Sequence, residues 1–165
     1  MFLRIAVILS VISTAIFTSC STASNTSGTS NSEAVNLVKQ RSYIFQAQSI
    51  TPQGGGLRPL TPEYELTVSK DTIHCFLPYM GRSFTAPMDP RQIGLDFNST
   101  NFEYQETARR NGRIEITIIP KDNREVRQMN LSVSPDGFAM LNVGMLNKQP
   151  VAFNGIIIRR TTDRR

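Results

Sequence analysis

From residue 43 to residue 158, apolar and polar side chains alternate with a period of two along most of the chain. Such alternation is typical of β-strands that bury one face and expose the other. The alternating segments recur about every 8–12 residues, and turn residues separate most of them. We therefore predict a mainly β fold, either an antiparallel β-sandwich or a small β-barrel of about 8–9 strands. The predicted strands are Tyr43–Ile50, Tyr64–Val68, Thr72–Leu77, Ile93–Phe97, Asn101–Thr107, Arg113–Ile119, Arg127–Val133, Phe138–Val143 and Val151–Ile158.

A short helix is predicted ahead of the strands, over Ser32–Gln40. Ser32 is suited to cap its amino end, where Glu33 interacts favourably with the helix dipole. Helical spacing places the apolar residues of this segment on one stripe, which consists of Ala34, Leu37 and Val38. We therefore expect one short helix before the β domain.

Turn chemistry predicts the register of a hairpin near the carboxyl end, because a shift by one residue would turn every side chain to the opposite face. At Ser134–Gly137, Pro and Gly occupy the positions that favour a type I turn followed by a left-handed glycine. This loop places three apolar pairs on one face: Val133 with Ala139, Leu131 with Leu141, and Met129 with Val143.

Two further hairpins can be paired in the same way. A turn of the same type at Arg109–Gly112 keeps Tyr104 on the face of the facing isoleucines. It pairs Tyr104 with Ile118 and Glu106 with Ile116. A loop of even length around Lys70 and Asp71 pairs Val68 with Ile73, Leu66 with Cys75, and Tyr64 with Leu77.

The amino-terminal segment resembles a bacterial lipoprotein signal peptide. Arg4 precedes an apolar run of 13 residues that ends before Cys20. This run is shorter than the roughly 20 residues that a membrane-spanning helix needs. We therefore expect residues 1–19 to be a signal peptide and Cys20 to be lipidated with acyl groups such as palmitate. The alternatives are a true transmembrane anchor or a plain secretory signal that happens to precede a cysteine.

The sequence after Cys20 divides into a tether, one domain and a tail. Residues 20–32 are rich in Ser and Thr and predict a flexible tether with a reach of roughly 20 Å. Residues 33–158 form one domain by length, and residues 159–165 form a basic tail. The chain has 18 Lys and Arg against 13 Asp and Glu, which gives a net charge of +5. The export signal nevertheless argues against nucleic acid as a partner.

We expect the protein to be located in the cell envelope, as an outer-membrane lipoprotein that faces the periplasm. Ser21, rather than Asp, follows Cys20, and by resemblance to other Gram-negative sorting signals this argues against retention in the inner membrane. No acidic run follows the cysteine, unlike the signal that Bacteroidetes lipoproteins use for surface export. The membrane is therefore the expected partner, reached through acylated Cys20.

The sequence offers no catalytic or metal-binding constellation. Cys75 is expected to be a buried thiol, because an unpaired cysteine in an exported protein usually escapes oxidation in that way. His74, the one histidine of the chain, is its neighbour and would point to the opposite face of a strand. Glu103 and Glu115 share the outward face of one hairpin but lie too far apart to form an acid–base pair. We therefore expect neither an enzyme, nor a cofactor, nor a metal site.

Two segments are candidate sites of binding or modification. Between Leu77 and Pro90, three prolines and a glycine argue against a regular central strand. Tyr79, Arg82 and Phe84 in this stretch either line a ligand groove or belong to an edge connection whose aromatic rings cap the core. Separately, Asp71-Thr72-Ile73 resembles the general O-glycosylation site of exported Bacteroidetes proteins, with Thr72 as acceptor. The alternative is a turn Asp that bonds its own backbone.

The chain also carries a family resemblance. Phe76-Leu77-Pro78-Tyr79-Met80-Gly81-Arg82, preceded by Tyr43–Ala47 and followed by Gly94–Phe97, resembles domain of unknown function 4251 of Bacteroidetes lipoproteins. Residues 153–157 are similar to the closing strand of that family. The similarity extends over residues 35–158, nearly the whole predicted domain. It implies a mainly β fold and an envelope location, and it supplies no activity and no catalytic residues.

Two functional classes therefore stay open. The first is a lipid-anchored periplasmic binding or scaffolding module that interacts with another envelope protein. The second is a carrier that holds a small hydrophobic ligand or lipid inside a barrel, which small barrels can do when side chains leave their interior unfilled. An enzyme is the third and least favoured class, because every candidate nucleophile or base lacks its partner.

Overall fold

The structure is a computed structural model that describes residues 31–84 and 94–160 of the 165-residue chain. Within these residues, one α-helix precedes ten β-strands. Their bounds are α1 Asn31–Lys39, β1 Tyr43–Pro52, β2 Arg58–Pro59, β3 Glu65–Val68, β4 Ile73–Pro78, β5 Gly94–Ser99, β6 Phe102–Ala108, β7 Ile114–Pro120, β8 Val126–Val133, β9 Phe138–Met145 and β10 Val151–Arg159.

The strands form a single antiparallel sheet that curls into a nearly closed, barrel-like shape. Nine of them follow the order β5-β4-β3-β1-β10-β9-β8-β7-β6, and β2 pairs with β1 beside this path. The predicted mainly β, antiparallel fold with a short helix is therefore confirmed. The additional strand is β2, which at two residues is too short to show any alternation.

The register derived from turn chemistry is confirmed in the hairpin of β8 and β9. Leu131 pairs with Leu141, and both are fully buried. The amide of Gly137 donates to the carbonyl of Ser134 at 3.0 Å, and Gly137 has a φ of 87°. A left-handed glycine closes this turn, as the sequence predicted.

The other two hairpins match prediction except at one end. Tyr104 pairs with Ile118, and Leu66 pairs with Cys75. The predicted pair of Tyr64 with Leu77 is wrong, because β3 begins at Glu65 and its ladder with β4 ends there. On the other side of β3, the carbonyl of Tyr64 accepts a hydrogen bond from the amide of Ala47 on β1 at 2.9 Å.

Inward-facing side chains of the strands form one hydrophobic core, to which helix α1 contributes. Ala34 and Val38 of the helix are completely buried in it, and Leu37 is 5% exposed. The largest buried rings are Tyr43 and the two phenylalanines Phe45 and Phe153. The side chains that the sequence placed inward are all buried: Leu66, Ile73, Ile114, Ile116, Ile118, Leu131 and Leu141. The interior of this barrel-like sheet is therefore filled with side chains.

Helix α1 precedes β1 and is joined to the end of the last strand, β10. Arg159 at the end of β10 forms an ion pair with Glu33 at 2.8 Å. The Tyr43 hydroxyl lies 3.3 Å from the Tyr104 hydroxyl. The Tyr104 ring also contacts the Arg41 guanidinium, which lies 4.4 Å from the ring centre.

The helix begins at Asn31, so Ser32 is its second residue and not its cap. Over the described ranges, we find no helix with the length and apolar character to span a membrane.

Candidate functional site

A cleft of about 820 Å³ opens beside β5, the last strand on one side of the sheet. β5 hydrogen-bonds to β4 alone in the sheet path, and the cleft lies between it and the connection from β7 to β8. Its size falls in the range of small-molecule binding sites, about 300–1,000 Å³. The seam of the curled sheet, where the strand ladder is interrupted, is therefore the candidate site.

The cleft has a largely apolar wall. Leu77, Leu95 and Val126 present side chains that are otherwise buried in the core. On the outer side, the rings of Tyr64 and Phe76 stack with centroids 5.5 Å apart. Phe76 is 39% exposed, so part of this apolar ring borders the open cleft. An apolar ligand would bury this surface.

The opposite wall is held in place by Asp122. Its Oδ1 accepts a hydrogen bond of 2.6 Å from the Ser99 hydroxyl, and its Oδ2 accepts bonds from the amides of Thr100 and Asn101 at 3.0 and 3.2 Å. These bonds, led by that of Ser99, lower the pKa of the Asp122 carboxyl from its usual value. The carboxylate thus fastens the β7–β8 connection to the sharp corner between β5 and β6.

Lys148 joins the two walls. Its ammonium forms an ion pair of 3.0 Å with Glu125 and lies 5.4 Å from the centre of the Tyr79 ring. The Lys148 side chain is only 14% exposed. The Glu125 side chain is 47% exposed, so the pair joins the two walls while its carboxylate stays in contact with solvent.

Tyr79 fixes the segment that follows β4. Its hydroxyl lies 3.0 Å from the carbonyl of Arg82 and 3.1 Å from that of Gln149, and can donate to either. Partial burial raises the pKa of the Tyr79 phenol. An isolated bridge between Ser83 and Lys148 continues this attachment. The irregular segment is therefore pinned to the β9–β10 connection.

A second cavity of about 590 Å³ adjoins the cleft. Met80 lines both cavities. The second cavity is polar and contains the guanidinium-bearing residues Arg58 and Arg82 together with Gln149 and the glycine-rich turn after β1.

The structure distributes the three predicted groove residues differently. Tyr79 lines the first cavity and Arg82 the second. Phe84 lines neither and is 70% exposed, so the alternative in which it caps the core is wrong for this ring. Thr72 is half-buried in the β3–β4 loop, where its carbonyl accepts a hydrogen bond from the amide of Ser69 at 2.9 Å. Cys20 lies outside the described residues.

Reactive groups elsewhere are engaged in the fold. Cys75 is completely buried as predicted, and this burial, together with the charge of Asp96, raises the pKa of its thiol far above the usual value. Glu103 forms an ion pair with Lys121 at 2.9 Å. Glu115 accepts a hydrogen bond of 3.0 Å from a neighbouring serine hydroxyl. Within the described ranges, we find no group of three His, Cys, Asp or Glu residues that could hold a metal ion.

Several residues of the site were not anticipated from the sequence. Leu95, Asp122 and Val126 belong to elements that meet only when the sheet curls, and Arg58 lies in the two-residue strand. The one signal that pointed to this region was the proline-rich interruption after β4.

The fold and the cleft define a small antiparallel β domain with an open seam. The sequence model of the DUF4251 family, a domain of unknown function, matches residues 25–157. The chain belongs to this family. Its fold is similar to the crystal structure of a DUF4251 family protein from Bacteroides eggerthii, with a TM-score of 0.58 and 12% sequence identity over 78% of this chain and 87% of that chain. No curated protein matches the sequence.

Proposed function

We propose that this protein is a lipid-anchored cell-envelope protein whose β domain binds a small ligand with an apolar body in the seam cleft. The amino-terminal resemblance to a lipoprotein signal supports the anchor at Cys20 and an outer-membrane location facing the periplasm. The observation that carries the binding proposal is the cleft, because its volume of about 820 Å³ is bordered by exposed Phe76 and by apolar core side chains.

The position of the cleft distinguishes this proposal from a carrier with a ligand inside the barrel. The inward side chains of the strands form one contiguous core that occupies the barrel interior. The space for a ligand lies instead in the seam cleft. Two of the described carboxylates at the cleft, Asp122 and Glu125, are committed to contacts that hold the wall, which favours binding over catalysis.

A tryptophan probe tests the proposal, because the chain has no tryptophan of its own. Phe76→Trp places the fluorophore on the cleft wall, and Gln105→Trp places it on exposed strand β6, away from both cavities. The full chains, in lipid nanodiscs, would be titrated with ω-bromoundecanol, whose bromine quenches a tryptophan that it contacts. We expect saturable quenching in the first variant alone. Equal, non-saturating quenching in both would contradict binding in the cleft.

A further inference from the structure

The second cavity is basic as well as polar. Arg58 and Arg82 contribute two guanidinium groups, and every other residue that lines this cavity is neutral. Guanidinium groups recognise carboxylates and phosphates through paired hydrogen bonds, and two of them in a cavity whose described lining contains no carboxylate attract an anion.

Neither guanidinium is neutralised by the described residues. The ion pairs of the structure join other side chains: Lys121 with Glu103, Lys148 with Glu125, and Arg159 with Glu33. Among the described residues, the Arg58 guanidinium makes one weak contact, to the Met80 sulfur at 4.0 Å. Arg82 is held through its backbone, whose amide donates to the Gln149 side chain at 3.3 Å. Both heads are therefore available to a ligand.

The basic cavity adjoins the apolar cleft at Met80. Met80 forms a wall of both, and Tyr79 extends from the cleft until its hydroxyl meets the carbonyls of Arg82 and Gln149, two residues of the second cavity. A methionine side chain is unbranched and adapts its shape to a neighbouring molecule. A single ligand can therefore lie in the cleft and extend past Met80 to the arginines.

The charges of the cleft itself orient such a ligand. Three carboxylates line the cleft: Asp96 on β5 is exposed, and Asp122 and Glu125 lie on the opposite wall. The lining also contains the exposed cation Arg124, and Glu125 is paired with Lys148, so the lining residues retain an excess of negative charge through Asp96 and Asp122. An anionic head group would be repelled from this end and attracted to the end at Arg58 and Arg82.

We infer that the ligand is an anionic amphiphile, whose apolar chain occupies the seam cleft and whose carboxylate or phosphate head group binds Arg58 and Arg82. This inference rests on the proposed function, since it names the ligand class of the same cleft.

The experiment compares an acid with a neutral probe of the same chain length. Full chains carrying Phe76→Trp are titrated in nanodiscs with ω-bromoundecanoate and with ω-bromoundecanol. Arg58→Gln and Arg82→Gln are each added, and Arg127→Gln, an exposed arginine on β8 outside both cavities, is the matched control for net charge. Each cavity variant should bind the acid about tenfold more weakly, the factor expected for one charge-assisted hydrogen bond. Binding of the alcohol should be unchanged, which also shows that the cleft is intact.

The possible outcomes distinguish a failure of this inference from a failure of the proposed binding in the seam cleft. Equal affinity for acid and alcohol, or an equal loss in the Arg127→Gln control, would overturn the anionic head group and leave cleft binding standing. If neither probe quenched saturably, both would be overturned. Competition by dodecanoate and by dodecyl phosphate then ranks the two head groups, and displacement of the acid by either supports the inference.

Discussion

The turn between β6 and β7 offers a quantitative test of the register on which the fold depends. Gly112 has a φ of 75°, and its amide donates to the carbonyl of Arg109 at 3.0 Å. A β-branched residue is strongly disfavoured in this left-handed region, whereas asparagine tolerates it. Gly112→Val should therefore reduce the free energy of unfolding by about 1–3 kcal/mol, the range for a residue forced into a sparsely populated backbone region.

The asparagine variant isolates the backbone contribution. A Cβ at Gly112 would lie 3.0 Å from Cγ of Pro135, and this contact is common to Val and Asn. The difference between Gly112→Val and Gly112→Asn therefore reports φ, and we expect it to be about 1–2 kcal/mol. Gly137 has a similar φ but is buried, so an asparagine amide there would add a burial cost of its own.

The assay is a urea titration of the full chain in which pulsed maleimide labelling of Cys75 reports unfolding, because this thiol is completely buried in the folded state. Gly56→Val is the matched control: its Cβ would meet nothing within 4 Å, and its backbone is outside the left-handed region. It should change stability by no more than about 0.5 kcal/mol. Equal losses from Val and Asn at Gly112, or a Gly112→Val variant as stable as Gly56→Val, would refute the assigned turn.

Three further predictions concern the lipid anchor at Cys20, the thiol of Cys75 and the carboxylate of Asp122 at the corner between β5 and β6. Cys20→Ala should abolish palmitate labelling and release the protein into the soluble periplasm; persistent membrane association would instead make the apolar segment an anchor. Cys75 should resist a bulky maleimide in the native protein and react after unfolding, and rapid native labelling would place it at the surface. The pKa of Asp122 is lower in the folded protein than its usual 3.8, so its contribution to stability is present above that pH and is lost as the pH falls through the folded pKa. Asp122→Asn should therefore destabilise the protein at neutral pH and flatten its loss of stability in acid, as measured by a urea titration followed by far-UV circular dichroism between pH 6 and 2, where a thiol no longer reacts with maleimide; a wild-type slope in the variant would contradict this role.

The strands and hairpins could be predicted because their signals are local. Alternation with period two identifies a strand within a few residues, and the Pro and Gly of a turn then set the pairing, as for Leu131 with Leu141. The limits of this approach appear where the local signal is absent. β2 is two residues long, and Tyr64 continues the apolar alternation of β3 although its backbone has already left the ladder with β4.

The site could not be predicted in the same way, because it depends on the closure of the whole sheet. Leu95 and Val126 share a cleft only because nine strands curl until β5 approaches the β7–β8 connection. The interrupted strand pattern identifies Tyr79 and Arg82 as candidate groove residues. It carries no signal that Arg58 and Arg82 will line the same cavity.

The most direct test of ligand binding at the seam is native mass spectrometry of the full chain isolated from its own membranes. We predict a bound small molecule on the wild-type chain. Asp96→Trp, which inserts a large ring into the cleft, should lose this molecule, while Asn98→Trp, on the same exposed face of β5 but outside the cleft, should keep it. A chain that carries no additional mass in repeated preparations, or a molecule retained in Asp96→Trp, would contradict a ligand in the seam cleft.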